Sequence, residues 1–416
     1  MSLVHTVRAK AAGAKRRLGF LATLTAIPTH ADTGKTRLAI MTGELEVGGV
    51  GRVLMNIITA IPRDRYEIYI FTTDPRINAW APEFAQHVDR IIDIPPTIGR
   101  SLPPGYVRRY LEAYLAKNRM DIVFITNSVT AYEALPGIRT SKSKHAAVYD
   151  LMHTHGRPQD DDAFLKLSMP FDSYIDTRIV ISQYLKEYFC NKYPVSPKKV
   201  RVIYNGLDAA TLAYKPDIAR GQKFLQLTPK EHAISYLGRL QSDKSPHRLV
   251  ELGAQLKNVL DAQGMFIAIV GEGELEPELR ERAKVLGVLG KQVRFFPFTK
   301  HPMDVCAASQ YTIITSDLEG ISMAALESMY MRTPVIAPAV GGFPEIIDDG
   351  QEGFTTSFSD RDDTQKVAAL AAATRRALAL STKDRQKMGQ QARQKVIRTF
   401  STMGENYLEL FGSHHT

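Results

Sequence analysis

Two α/β domains, each a doubly wound parallel sheet, facing each other across a cleft, are the architecture this sequence predicts. Three observations carry the expectation. Runs of Val, Ile, Phe and Tyr recur as unbroken apolar stretches, the mark of strands buried on both faces. Helix-length stretches separate them, so strand and helix alternate, with right-handed crossovers expected. The alternation restarts after a polar, irregular stretch from about Leu207 to Glu231, which sets the domain boundary there. A chain of 416 residues has the length of two domains, or three, at ~100–200 residues each.

In the first half, strands are expected over Arg37–Thr42, Tyr66–Thr72, Arg90–Ile94, Asp121–Thr126, Ala146–Met152, Ile179–Ser182 and Val200–Tyr204. In the second half they are expected over Ala233–Leu237, Phe266–Val270, Val293–Pro297, Tyr311–Thr315 and Pro334–Ala337. Helices are expected over Arg52–Ile61, Tyr106–Lys117, His247–Leu260, Leu275–Leu286, Ala324–Met331 and Asp363–Leu380. Near the end, Phe400, Met403, Tyr407, Leu410 and Phe411 recur at three- and four-residue steps, the pattern of a packed helix face. The expected organisation is a tail over 1–37, a first domain over 38–210, a second over 211–398, and a closing helix over 399–416 that crosses back to the first domain.

Composition excludes several classes. Apolar residues at 44% and charged residues at 23% are ordinary for a soluble globular protein. The two cysteines, Cys190 and Cys306, lie near no second Cys or Cys/His cluster, which argues against a disulfide framework or structural zinc. A reducing compartment, the cytoplasm, is expected. No apolar run reaches ~18 residues, so no membrane-spanning helix is expected. The net charge of +9 is uneven: seven cations and one acid in residues 1–37 make that segment +6. No nucleic-acid-binding motif accompanies it, so no nucleic-acid partner is expected. Three readings of the tail stay open. Its basic stretch before Leu18–Ile27 loosely imitates a signal peptide. Val4, Val7, Ala11, Ala14, Leu18 and Leu21 share a helical stripe suited to the inner face of a membrane. A frayed leader is the third.

Ligands of doubly wound sheets bind at the carboxyl ends of strands, and the notable residues fall there. After the first strand comes Gly43-Glu44-Leu45-Glu46-Val47-Gly48-Gly49-Val50-Gly51-Arg52. Glycines at such a turn let the backbone approach a phosphate favoured by helix amides. The spacing is not a dinucleotide fingerprint, and a glycine-rich turn without a ligand is an equal reading. Arg239 and Lys244 lie five apart on the loop after Ala233–Leu237; they could converge on one diphosphate or stay solvated. After Tyr311–Thr315, Gly320 and Ser322 read as a helix entry. Glu319 lies just outside the helix and Glu327 about two turns in. Amides at the helix start suit an anion, and the carboxylates suit sugar hydroxyls. The alternative is plain helix-start charge and a solvated glutamate. His153 and His155 follow Ala146–Met152 at the expected cleft edge, with His153 chosen by strand position.

Gly238-Arg239…Lys244, Val270-Gly271-Glu272-Gly273 and Glu319-Gly320…Glu327, in this order, resemble the retaining glycosyltransferases of family 4 (group 1), which have the GT-B fold. Ile181-Ser182-Gln183-Tyr184-Leu185, Ile203-Tyr204-Asn205-Gly206-Leu207-Asp208, Pro334-Val335-Ile336-Ala337 and Gly341-Gly342-Phe343-Pro344-Glu345 fit as well. The resemblance spans about residues 38–411. It implies that Glu327 would hold the ribose hydroxyls of a nucleoside-diphosphate sugar. Glu319 would lie near the sugar, with amides of Gly320, Ile321 and Ser322 on its hydroxyls. Amides of Met323 and Ala324, with Arg239 and Lys244, would hold the diphosphate. Gly271, Glu272 and Gly273, and the segment Pro297–Thr299 with Phe298, would border the base. Gly48 and Gly49 would approach the phosphates from the first domain.

A catalytic-side histidine is also implied, and His153 fills that role. The expected catalytic set is therefore His153, Glu319, Arg239 and Lys244. No cofactor and no metal are expected; Asp160–Asp162 reads as a solvated loop rather than a metal site. Lys244 departs from the usual Lys-Gly pair, being followed by Ser245-Pro246. The implied activity is sugar transfer with retention to a glycan or lipid-linked acceptor, in cell-surface polysaccharide, lipopolysaccharide or glycolipid synthesis. Two rivals are a sugar-nucleotide epimerase of the same architecture, which would act without an acceptor, and a silent sugar-nucleotide-binding subunit of a membrane assembly.

Overall fold

A computed structural model describes residues 17–413 except 47, 77, 100–102 and 155–162. His155 and Asp160–Asp162 lie outside the described residues, as does residues 1–16 of the basic tail.

Two all-parallel sheets form the frame. The first holds β1 (Thr36–Thr42), β2 (Tyr66–Thr72), β3 (Arg90–Asp93), β4 (Ile122–Thr126), β5 (Ala147–Met152), β6 (Thr177–Val180) and β7 (Val200–Val202), in the order β3-β2-β1-β4-β5-β6-β7. The second holds β8 (His232–Leu237), β9 (Met265–Val270), β10 (Val293–Phe296), β11 (Tyr311–Ile313), β12 (Val335–Pro338) and β13 (Gly353–Thr356), in the order β10-β9-β8-β11-β12-β13. Leu38, Ile40, Ile122 and Phe124 are fully buried, as are Ile234, Ile267 and Ile269. That two-sided burial is why these strands read as unbroken apolar runs. Each sheet has its switch point where the chain, after building outward on one side, returns to the other: between β1 and β4, and between β8 and β11. Loops leaving those strands open a crevice at their carboxyl ends.

The helices that matter for the site are few. In the first domain they are α1 (residues 17–25), α2 (Gly49–Ala60), α3 (Pro104–Lys117), α4 (Val129–Arg139) and α5 (Gln183–Lys192). In the second they are α6 (His247–Gln255), α7 (Met323–Tyr330), α8 (Phe343–Ile346), α9 (Asp363–Leu378), α10 (Thr382–Thr399) and α11 (Met403–Gly412). The apolar face of α11, with Phe400, packs into the first domain: Phe411 and Tyr407 set ring edges against Phe124, and the Tyr149 hydroxyl donates to the Leu410 carbonyl. Gly206 lets the Phe400 carbonyl approach, since a Cβ there would stand 2.3 Å from that oxygen. The chain thus crosses between the sheets twice at one place.

Two differences from expectation have clear causes. The polar stretch between the sheets contains two short helices, Ala209–Ala213 and Ile218–Phe224, each capped by an aspartate side chain, Asp208 and Asp217. Such capping offsets what the segment lacks in apolar periodicity. The expected helix His247–Leu260 divides at Leu256 into His247–Gln255 and Lys257–Ala262.

The leader is docked where it is described. Phe20 of α1 meets Tyr106 of α3 edge-on, and Ile27 is buried. Lys117, Asn118 and Arg37 donate to carbonyls of Ile27, Pro28 and Ala31. Leu18 and Leu21 face outward, 67% and 55% exposed. Among the described residues, no helix is long and apolar enough to cross a membrane.

Candidate functional site

Three loops of the second domain converge beside the β8/β11 switch point. Lys244, on the loop after β8, donates to Glu319 Oε1 at 2.8 Å. The Ser316 hydroxyl donates to the same oxygen at 2.7 Å. The loop is held by its backbone as well, for Thr315 Oγ1 donates to the Lys244 carbonyl. Ser245 takes up a left-handed conformation, φ 47°, which costs a residue with a Cβ ~1–2 kcal/mol. Its hydroxyl donates to Asp317 at 3.2 Å, which offsets part of that cost. This explains both the usual preference for glycine after the lysine and how serine can stand there.

Asp317 is the anchor of the group. It accepts from Arg248 and Lys366, each at 2.7 Å. Burial works against its charge, but those two cations hold its carboxyl below the ordinary range. Arg248 is itself buried and also donates to the Thr315 carbonyl and to Asp363 at the start of α9. Arg239 does not join this group: it lies exposed and faces Asp243 at 3.4 Å.

The start of α7 has the expected form. Ser322 is its N-cap, its hydroxyl accepting from the Ala325 amide. The Met323 and Ala324 amides are the first two of the helix and precede its hydrogen-bond ladder. Glu327 lies one turn further in. Among the described residues none hydrogen-bonds its carboxylate. Burial pushes its pKa up to about 7, with Arg52 pulling down and Asp208 pushing up. The Arg52 charge thus acts on Glu327 from the opposite domain, while its guanidinium lies over the Trp80 ring at 5.5 Å.

Glycines set the approach of the loops. Gly271 has φ 143°, and a Cβ there would stand 2.0 Å from the Gly238 carbonyl oxygen; at Gly273 one would stand 2.4 Å from that of Leu240. The Gly271–Gly273 loop therefore lies directly on the Arg239 loop. Glu272 accepts from the Phe298 amide at 3.4 Å, and the Phe298 ring is 54% exposed. In the first domain, Gly48 and Gly49 face open space at the start of α2. The glycine demanded by packing is instead Gly51, where a Cβ would stand 2.3 Å from the Glu46 carbonyl oxygen and 3.2 Å from Trp80.

His153 leaves the end of β5 with Nε2 at 3.0 Å from Thr126 Oγ1, and burial lowers its pKa to about 4. The domains meet here: a Cβ at Gly320 would stand 2.4 Å from Ile181 Cδ1 and 2.5 Å from the His153 carbonyl oxygen. Asn205 donates across to the Ile321 carbonyl at 3.4 Å. Lys244, Glu319 and the α7 start thus lie together where the second domain meets the His153 backbone, with Glu327 one turn into α7.

Two family models account for most of the chain: glycosyl transferases group 1 over residues 218–395 and glycosyltransferase family 4 over residues 47–211. The chain belongs to the family 4, group 1 glycosyltransferases. D-inositol 3-phosphate glycosyltransferase of Mycobacterium sp. (strain KMS) is 30% identical over 193 residues, 45% of this chain and 43% of that protein. The chain therefore spans under half the length of such curated relatives. The Anabaena HepE crystal structure with UDP and glucose superposes with a TM-score of 0.73 at 20% identity, covering 91% of this chain and all of that one. A glycosyltransferase from Rickettsia africae gives 0.74 at 17% identity, covering 92% and 99%. These likenesses establish the GT-B fold.

Within this family 4 chain, sequence reasoning assigned no part to Arg52, Asn205, Asp208, Ser316, Asp317, Arg248 or Glu345. Arg52, Asn205, Asp208 and Glu345 stood inside quoted stretches. Arg248 gave no local signal, because Asp317, its partner, lies 69 positions away in the chain.

Proposed function

We propose that the chain transfers a hexose from a nucleoside-diphosphate sugar to an acceptor hydroxyl with retention at the anomeric carbon. The observation that supports this reading is the Lys244–Glu319 pair beside the start of α7, whose first amides precede the helix ladder and whose Glu327 carboxylate has no hydrogen-bond partner among the described residues. Lys244 and the Met323 and Ala324 amides would take the diphosphate, a set of charge-assisted donors that requires no metal. Glu327 would accept from the ribose hydroxyls. Glu319 and the Gly320, Ile321 and Ser322 backbone would orient the sugar. Arg239 joins the diphosphate if it leaves Asp243. Gly271, Glu272, Gly273 and Phe298 border the base, and Gly48 and Gly49, bare towards open space, leave room for the phosphates.

His153, neutral at pH 7 because burial lowers its pKa to about 4, would act by hydrogen bonding to the sugar or the departing oxygen. The chemistry is positioning plus stabilisation of the leaving diphosphate. That HepE is a UDP and glucose complex supports a nucleotide-sugar donor here. Cell-surface glycan, lipopolysaccharide or glycolipid assembly is the proposed setting. The outward Leu18 and Leu21 on a basic leader support peripheral contact with an anionic membrane from the cytoplasm.

A panel of nucleotide sugars, with and without candidate acceptors, tests the reading. Release of nucleoside diphosphate that depends on acceptor, survives a chelator and leaves the anomeric configuration unchanged is expected. Conversion of the nucleotide sugar with no acceptor present would instead establish the epimerase.

A further inference from the structure

One carboxylate of the second domain reaches a helix end of the first. Gln183 and Tyr184 open α5, so their amides lack intrahelical acceptors. The side chain of Ser182, the N-cap, is already committed to the Leu185 amide. Both amides donate to Glu345, Gln183 to Oε2 and Tyr184 to Oε1, each at 2.8 Å. The Tyr204 hydroxyl donates to Oε2 at 2.8 Å. Burial and the adjacent Glu345 push the Tyr204 pKa up to about 12, so it stays a donor. A negative charge at a helix N-terminus also interacts favourably with the aligned peptide dipoles.

The segment that carries Glu345 touches the site from beneath. The Gly342 amide donates to the Glu319 carbonyl at 3.3 Å. A Cβ at Gly341, where φ is 54°, would overlap that same oxygen at 1.7 Å, and one at Gly342 would stand 2.4 Å from the Gly320 carbonyl. On the other side, α5 follows directly after Ile181, whose Cδ1 is the atom that meets Gly320. The contacts close a ring: Gly320 to Ile181, along Ser182 to the α5 amides, across to Glu345, and back through Gly342 to Gly320.

We propose that Glu345 is a positioning residue that clasps α5 of the first domain to the 341–345 segment of the second, and so sets how closely His153 and Ile181 approach the loop at Gly320. It touches neither the diphosphate donors nor Glu327. Its loss should therefore widen the acceptor side of the crevice and leave the nucleotide side intact. The kinetic consequence rests on the transferase reading above; the clasp itself does not.

Amide hydrogen exchange followed by NMR reads the clasp directly. In Glu345→Ala the Gln183 and Tyr184 amides should exchange on the order of tenfold faster or more, because Glu345 is their acceptor, while Leu185, bonded to Ser182, keeps its protection. Unchanged protection at both amides would overturn the proposal. In the kinetic arm, kcat should fall about tenfold with nucleoside-diphosphate affinity within about threefold of wild type, the signature of a contact felt in the transition state. Glu345→Gln, which keeps one acceptor oxygen, should restore part of kcat, and Tyr204→Phe, which removes one bond of three, should lose less than Glu345→Ala. An equal loss of nucleotide affinity would put Glu345 on the donor side and overturn the positioning role. If the wild-type protein turns over no nucleotide sugar, the transferase reading fails alone, and the exchange rates still decide the clasp.

Discussion

On the second-domain wall of the crevice, Lys244, Ser245, Ser316, Asp317, Glu319 and Arg248 fix one another through hydrogen bonds of 2.7–3.2 Å. The first-domain wall offers His153, one threonine behind it, Arg52 over a tryptophan ring, and glycines facing open space. The first arrangement holds its charges in place through its own side chains. Among its described residues, the second holds fewer charged groups in such bonds. A wall of interlocked charges suits a ligand part that never changes, such as a diphosphate. A sparse wall suits the partner that varies.

This contrast can be tested at four points. The largest effect should come from removing residues 400–416, which joins the two halves. The Phe400, Met403, Tyr407, Leu410 and Phe411 side chains are at most 4% exposed, and each contributes ~1.5–3 kcal/mol when buried. Their sum rivals the whole stability of a typical domain, so cooperative thermal unfolding should be lost. A melting temperature within a few degrees of wild type would show that the halves do not depend on this helix.

Lys244→Ala should weaken nucleoside-diphosphate binding by roughly 10–150-fold, since a hydrogen bond to a charged group contributes ~1.5–3 kcal/mol. Calorimetric titration measures it. The variant also leaves Glu319 without its cation, so a smaller loss would mean that the pair is structural only. His153→Ala should behave in the opposite sense: turnover should drop about tenfold or more while nucleoside-diphosphate affinity stays within about threefold. A matching loss of nucleotide binding would erase the distinction between the two walls.

The smallest effect concerns pH. Burial raises the Glu327 pKa to about 7, so the folded state takes up this proton more readily than the unfolded chain. Its contribution to stability is therefore greatest below the ordinary carboxylate range and falls as pH rises towards and through 7. Binding runs the other way, because the ionised carboxylate is the better acceptor for ribose hydroxyls. Affinity for a nucleotide sugar, whose diphosphate does not titrate there, should rise a few-fold between pH 6 and 8. The rise should vanish in Glu327→Gln.

What could be read from sequence follows the range of the interactions involved. Tyr66–Thr72 was legible because six of its seven residues are β-formers buried on both faces, Glu67 being the exception. Gly353–Thr356 was not, since an edge strand with one large apolar residue carries no pattern. The helix Thr382–Thr399 buries only Met388, Gly389, Ala392 and Val396 among charged neighbours, and its periodicity is too thin to see. In the site, Lys244, Glu319 and Glu327 stood in short motifs after strands. Glu345, 162 positions from the amide it accepts from, could be found only once the fold had brought both together. Gly51 shows the same limit within one loop: three glycines looked alike in sequence, and packing alone separates the one that cannot change.

Trp80 is the single tryptophan of the chain. It lies against Gly51 and beneath Arg52, whose charge acts on Glu327 of the other domain. Indole emission responds to nearby charge and to water, and here one fluorophore sits beneath a cation whose charge acts across the domains. Anything that draws Arg52 towards or away from the opposite domain should alter its colour or brightness. A change in Trp80 emission on adding a nucleotide sugar, read in a stopped-flow cell without a label, would therefore report a rearrangement around Arg52.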